Sequence, residues 1–112
     1  MKKNKINIAK NIIKLESDSL KSMIKKVNSH FDKACDAILS CRGKVVTIGL
    51  GKSGHIAAKA SATLSSTGTP SMYFPGADCL HGDRGAIKND DIIILFSQSG
   101  DTNAGLSRIP RL

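Results

Sequence analysis

The stretch Lys44-Val45-Val46-Thr47-Ile48-Gly49-Leu50-Gly51-Lys52-Ser53-Gly54-His55 decides how this chain folds. Val45 to Ile48 is a β-branched run of the length expected for a buried strand. Glycines at 49, 51 and 54 follow, and then small and apolar residues recur at helical spacing. The pattern predicts strand, tight turn, helix. Such a turn places a helix N-terminus and backbone N–H groups at the carboxyl end of a strand, where an anion can sit. Lys52 and Ser53 add an ammonium and a hydroxyl, so the expected ligand carries phosphate.

Downstream, a helix is predicted from about Ser53 to Ser66. Its alanines at 57, 58, 60 and 62 would let it lie close on a sheet. Thr67-Gly68-Thr69-Pro70 ends it, since Pro70 cannot continue a helix. Ser71 to Phe74 is a second short strand, bounded by Pro75-Gly76. Residues 76–90 form a polar connection. Asp91-Ile92-Ile93-Ile94-Leu95-Phe96 is a continuous apolar run after one acid, as in a strand covered on both faces. It leads into Ser97-Gln98-Ser99-Gly100-Asp101-Thr102 and a weak helical pattern to Leu112. Alternating strands and helices are the grammar of a parallel α/β layer. Ligands of such layers bind beyond the carboxyl ends of the strands. The turns at 49–54 and 97–102 both fall at such ends, which predicts one shared site.

Upstream, apolar residues at 8, 12, 15, 20, 23, 24 and 27 predict a helix over about 5–29. A break follows at Asn28-Ser29, with Ser29 or His30 near the next N-cap. A second helix is expected from about Phe31 to Ser40, closed by Gly43. The expected division is a helical segment, 1–43, ahead of an α/β segment, 44–112.

One domain at most fits in 112 residues. The net charge of +8 is uneven: residues 1–44 hold eleven Lys/Arg against four acids. These lysines are interleaved with apolar residues, as on a solvated helix face, which disfavours a nucleic-acid partner. With one Tyr and no Trp, aromatic base-stacking is also disfavoured. Cys35, Cys41 and Cys79 are odd in number and lack metal-ligand spacing, which fits reduced thiols and a cytoplasmic setting. No run reaches about 18 apolar residues, so no membrane partner is expected. The basic start is not followed by an apolar segment of the kind that marks export.

Gly49-x-Gly51-x-x-Gly54 matches the dinucleotide fingerprint, with Asp78 near the usual ribose acid. However, Lys52 would crowd a pyrophosphate turn, and Asp78 lies beyond Pro75-Gly76. Gly51-Lys52-Ser53 resembles the end of a Walker A loop, but that motif needs a glycine where Val46 stands. Three hydroxyls and a glycine within 97–102 exceed what a plain N-cap needs and favour an anion site. His81, beside Asp83 in Leu80-His81-Gly82-Asp83, suits a proton carrier or substrate contact. His55 and His30 are expected to pack or cap.

Four segments together resemble the arabinose-5-phosphate isomerase family, built on the SIS (sugar isomerase) domain. They are Gly49-Leu50-Gly51-Lys52-Ser53-Gly54-His55-Ile56, Ser66-Thr67-Gly68-Thr69-Pro70-Ser71, His81-Gly82-Asp83-x-Gly85 and Ser97-x-Ser99-Gly100-x-Thr102. Order and spacing match from about residue 10 onward. The resemblance implies an α/β, three-layer SIS-type parallel sheet flanked by helices and preceded by two N-terminal helices. It implies interconversion of D-arabinose 5-phosphate and D-ribulose 5-phosphate through an enediolate, feeding Kdo and lipopolysaccharide or capsule synthesis. No redox cofactor or metal is expected, the partner is a phosphorylated sugar, and a homo-oligomer is implied. By motif, Lys52 would be the catalytic lysine. Gly68, Thr69 and His81 would contact the sugar phosphate, and Ser53, Ser97, Ser99 and Thr102 would line the phosphate pocket.

The chain departs from that pattern in three places. Pro75 stands where the resemblance expects a metal-sensitive histidine. Ala104 stands where it expects a catalytic glutamate. The family's SIS domain also continues through strands beyond the equivalent of Leu112. Residues 44–112 are therefore expected to be the N-terminal part of a SIS domain, truncated or degenerate, and incomplete at its C-terminus. A non-catalytic phosphosugar-binding regulatory module is the alternative expectation.

Overall fold

The computed structural model describes residues 4–75 and 83–100. Two compact units are present, residues 1–36 and residues 37–112.

In the first unit, helix α1 runs Lys5–Met23 and passes into a single 3-10 turn, Ile24–Lys26. Asn4 caps it, the side chain accepting the Ile6 N–H at 3.0 Å. Helix α2, Ser29–Leu39, follows. Its start differs from expectation. The Asn28 side chain accepts the His30 amide at 2.9 Å and its carbonyl accepts that of Phe31, so the capping role falls on Asn28. An Asn carboxamide reaches a backbone amide two residues on without strain, which makes it a strong N-cap. His30, expected near the cap, is exposed on the helix.

The second unit is organised around strand β1, Val45–Gly49. Every residue of β1 is buried. Helix α3, Lys52–Ser66, leads to strand β2, Ser71–Pro75, and a single 3-10 turn, Asp83–Ala86, precedes strand β3, Ile92–Phe96. The sheet is parallel with order β2-β1-β3, so the chain crosses over β1 to add its third strand.

Side chains alternate between the two faces of such a sheet. On one face Val46, Ile48 and Phe74 join Ile87, with Met72, Ile93, Leu95 and Ala86 packed around them. Ile87 and Ala86 lie in the segment expected to be a polar connection, so that segment contributes to the core. On the other face lies α3, whose buried residues are Gly54, Ala57 and Ser61, three and four apart. Hydroxyls fasten this helix. Thr47 Oγ1, fully buried, donates to the Ala57 carbonyl at 2.7 Å. Ser71 Oγ donates to the Val45 carbonyl at 2.7 Å and lies 2.9 Å from Ser61 Oγ.

Asp91 falls just ahead of β3 rather than within it. Its carboxylate accepts the Lys44 and Lys88 amides at 2.9 and 2.8 Å and the Lys44 ammonium at 2.7 Å. These bonds join the amino ends of β1 and β3, the end away from the expected site.

Candidate functional site

Strand register puts the two expected ligand turns side by side. Gly49 ends β1 opposite Phe96, the last residue of β3, and opposite Pro75, the last of β2. All three strands therefore stop at one level. The turns at 50–54 and 97–100 leave from neighbouring strands, which lie about 4.8 Å apart.

The first turn is built by close approach. A β-carbon on Gly49 would collide with the Ser53 carbonyl and stand 2.7 Å from the Gly54 nitrogen. Gly51 caps α3 at φ 56° and ψ −128°, a conformation that side chains rarely adopt. The amides of Ser53 and Gly54 donate inward, to the carbonyls of Leu50 at 3.2 Å and Gly51 at 3.0 Å. Both amides are therefore engaged within the turn, which presents the exposed Lys52 side chain, the half-buried Ser53 hydroxyl and the positive end of the α3 dipole at the carboxyl edge.

In the second turn, Ser97 Oγ accepts the Gly100 N–H at 3.1 Å. That fixes the hydroxyl oxygen and leaves its proton to donate outward. An oxygen that already accepts is polarised into a better donor. Ser99 is exposed on the same turn.

The expected site residues fall into three groups. Lys52, Ser53, Ser97 and Ser99 lie on the two neighbouring turns at the carboxyl edge. Gly68 and Thr69 lie between α3 and β2, at the amino edge. Four residue steps of strand separate the edges, about 13 Å, so a single chain does not bring this pair to Lys52. His81 and Thr102 lie outside the described residues. His55, expected to pack or cap, is exposed on α3. Cys35 and Cys41 are free thiols, and Cys41 Sγ donates to the Asp90 carbonyl at 3.4 Å. Among the described residues no cluster of His, Cys, Asp and Glu could hold a metal ion. No helix among them is long and apolar enough to cross a membrane. Sequence reasoning missed Tyr73, whose hydroxyl lies against Gly54. Its spacing carries no motif, and only the strand register reveals it.

A parallel sheet with a glycine turn and a serine turn on neighbouring carboxyl ends has its loops where α/β domains bind their ligands. The SIS domain profile matches residues 38–110. Arabinose 5-phosphate isomerase KdsD of Pseudomonas aeruginosa is 42% identical over 105 residues, covering 94% of this chain and 32% of that protein. KdsD of Yersinia pestis is 43% identical over 103 residues, covering 92% and 31%. The solved structure of Escherichia coli CFT073 c3406 in complex with arabinose 5-phosphate has a TM-score of 0.77 at 40% identity, covering 96% of this chain and 59% of that one. The chain belongs to the SIS domain family. It spans about a third of the length of the curated relatives it matches.

Proposed function

We propose that this chain belongs to a sugar-phosphate aldose–ketose isomerase acting on arabinose 5-phosphate and ribulose 5-phosphate. One observation carries the reading: Lys52 and Ser53 share the carboxyl edge with Ser97 and Ser99, on neighbouring strands in register. The KdsD relatives and the neighbour bound to arabinose 5-phosphate support the substrate. The serine turn, with Thr102, would hold the phosphate. Lys52 would face the C1 and C2 oxygens.

In that arrangement a base takes the C2 proton of the aldose and an enediolate forms. The proton is returned at C1, while the O2 hydroxyl proton passes to O1. The Lys52 ammonium stabilises the negative oxygen between these events. His81 serves as a further substrate contact. Run in reverse, the same steps give arabinose 5-phosphate, which would supply Kdo for lipopolysaccharide or capsule, in the cytoplasm. On this reading the SIS portion would span 44–112, behind a helical segment at 1–43. Gly68 and Thr69 can reach the sugar phosphate only from a second copy, which is consistent with a homo-oligomer.

A non-catalytic phosphosugar-binding module is the second reading, favoured by Pro75 and Ala104 at positions where the resemblance expects acid–base groups. The deciding experiment incubates the purified chain with arabinose 5-phosphate, follows ribulose 5-phosphate and measures binding by calorimetry. Turnover supports the isomerase. Binding without turnover supports the module, and neither at millimolar sugar phosphate sinks both.

A further inference from the structure

Tyr73 lies opposite Thr47 in the β1–β2 register. Directly paired residues point to the same face of a sheet. Thr47 faces α3, because its hydroxyl donates to the Ala57 carbonyl. Tyr73 is therefore on the helix side, half-buried, with its ring directed at the first turn of α3. A β-carbon on the buried Gly54 would stand 2.7 Å from the Tyr73 hydroxyl oxygen and 3.0 Å from the Gly49 carbonyl oxygen. Two atoms thus occupy the space beside Gly54. One is the end of β1. The other is a phenol oxygen at the tip of a rigid ring, which cannot fold aside as a flexible side chain would.

We infer that Tyr73 is a positioning residue for the Gly49–Gly54 turn: its hydroxyl sets how closely the first turn of α3 approaches the sheet, and so where Lys52 and Ser53 stand. The contact is made by the hydroxyl, so phenylalanine at this position would remove it while keeping the ring. Gly54 follows Lys52 by two residues, and a shift of its backbone is passed to them directly. The inference rests on the reading of this turn as the sugar-phosphate site.

The test is a double-mutant cycle on the full 112-residue chain, titrated with arabinose 5-phosphate by calorimetry. Gly54→Ala should weaken binding by about tenfold or more, and Tyr73→Phe, which lets Lys52 and Ser53 shift, by about threefold. The double variant should recover at least about fivefold of the Gly54→Ala loss, a coupling of the size seen between touching residues. Recovery is incomplete because the Gly49 carbonyl remains. If Gly54→Ala is equally weak with Phe at 73, the carbonyl alone restricts the site and the inference is overturned.

A parent chain that does not bind arabinose 5-phosphate would overturn the proposed ligand instead. Amide NMR spectra of Tyr73→Phe then decide the positioning role, and they do so also if Gly54→Ala fails to fold. The Lys52, Ser53 and Gly54 amide signals should shift. Unmoved signals there would overturn the inference.

Discussion

The Lys44 ammonium and the Asp91 carboxylate meet at 2.7 Å across a sequence separation of 47 residues. The Asp91 side chain is only 3% exposed. Burial by itself raises its pKa. The Lys44 hydrogen bonds, the Lys88 amide and the Lys44 charge outweigh that, and the carboxyl falls from 3.8 to about 2. A depressed carboxyl pKa stabilises the fold above its unfolded value and loses that contribution as pH falls toward the folded value. Chemical denaturation from pH 7 to 2 should therefore show a loss from this group of about 2 kcal/mol, concentrated below pH 4. Asp91→Asn should cost a comparable amount at pH 7 and flatten that part of the profile. An acid slope equal to the parent's would contradict the assignment.

Removing the Lys52 ammonium tests the proposed chemistry. Lys52→Ala should lower isomerase turnover by about a hundredfold or more, the scale of losing one stabilising group for a developing oxyanion. Because Lys52 is exposed, the melting temperature should not move. Turnover at the parent's rate would remove Lys52 from the mechanism.

Gly51 separates backbone strain from crowding. A β-carbon there meets nothing within 4 Å, yet φ is 56°. Gly51→Ala should cost about 1–3 kcal/mol through conformation alone. Gly85 is equally open and has no positive φ, so Gly85→Ala should change stability by less than about 0.5 kcal/mol. Urea unfolding of the two variants makes the comparison.

The helix-facing side of β1 offers a polar and an apolar change of different size. Thr47→Val keeps the shape and deletes the bond to Ala57, which should cost about 1 kcal/mol. Ala57 is fully buried, and Ala57→Leu would force α3 off the sheet at a cost of about 1–3 kcal/mol or more. Thermal denaturation should rank Ala57→Leu below Thr47→Val.

Local signals in the chain were sufficient for most elements. The β-branched run before Gly49 and the small residues after Gly51 announce β1 and α3, because strand and helix periods differ so plainly there. Pro75 marks the end of β2, where an edge strand tolerates it. What depends on distant partners was not legible. The order β2-β1-β3 is set by which side of β1 the third strand joins. The Asp91 clamp needs Lys44, 47 positions away. Ala86 and Ile87 read as part of a polar loop until the sheet face they cover is known. The candidate site divides the same way. Lys52 and Ser97 were legible as strand-end turns. The placement of Gly68 and Thr69 at the other edge follows from α3 running antiparallel to the strands it connects.

The central position of β1 also sets when the proposed binding turn can come apart. Its backbone is held by a strand on each side and every residue in it is buried. Amide protons of such a strand exchange with solvent only through the largest openings of a domain. The turn carrying Lys52 grows directly out of that strand. Deuterium should therefore enter Val46 and Ile48 last, and the proposed ligand geometry should persist through partial openings that release the edge strands.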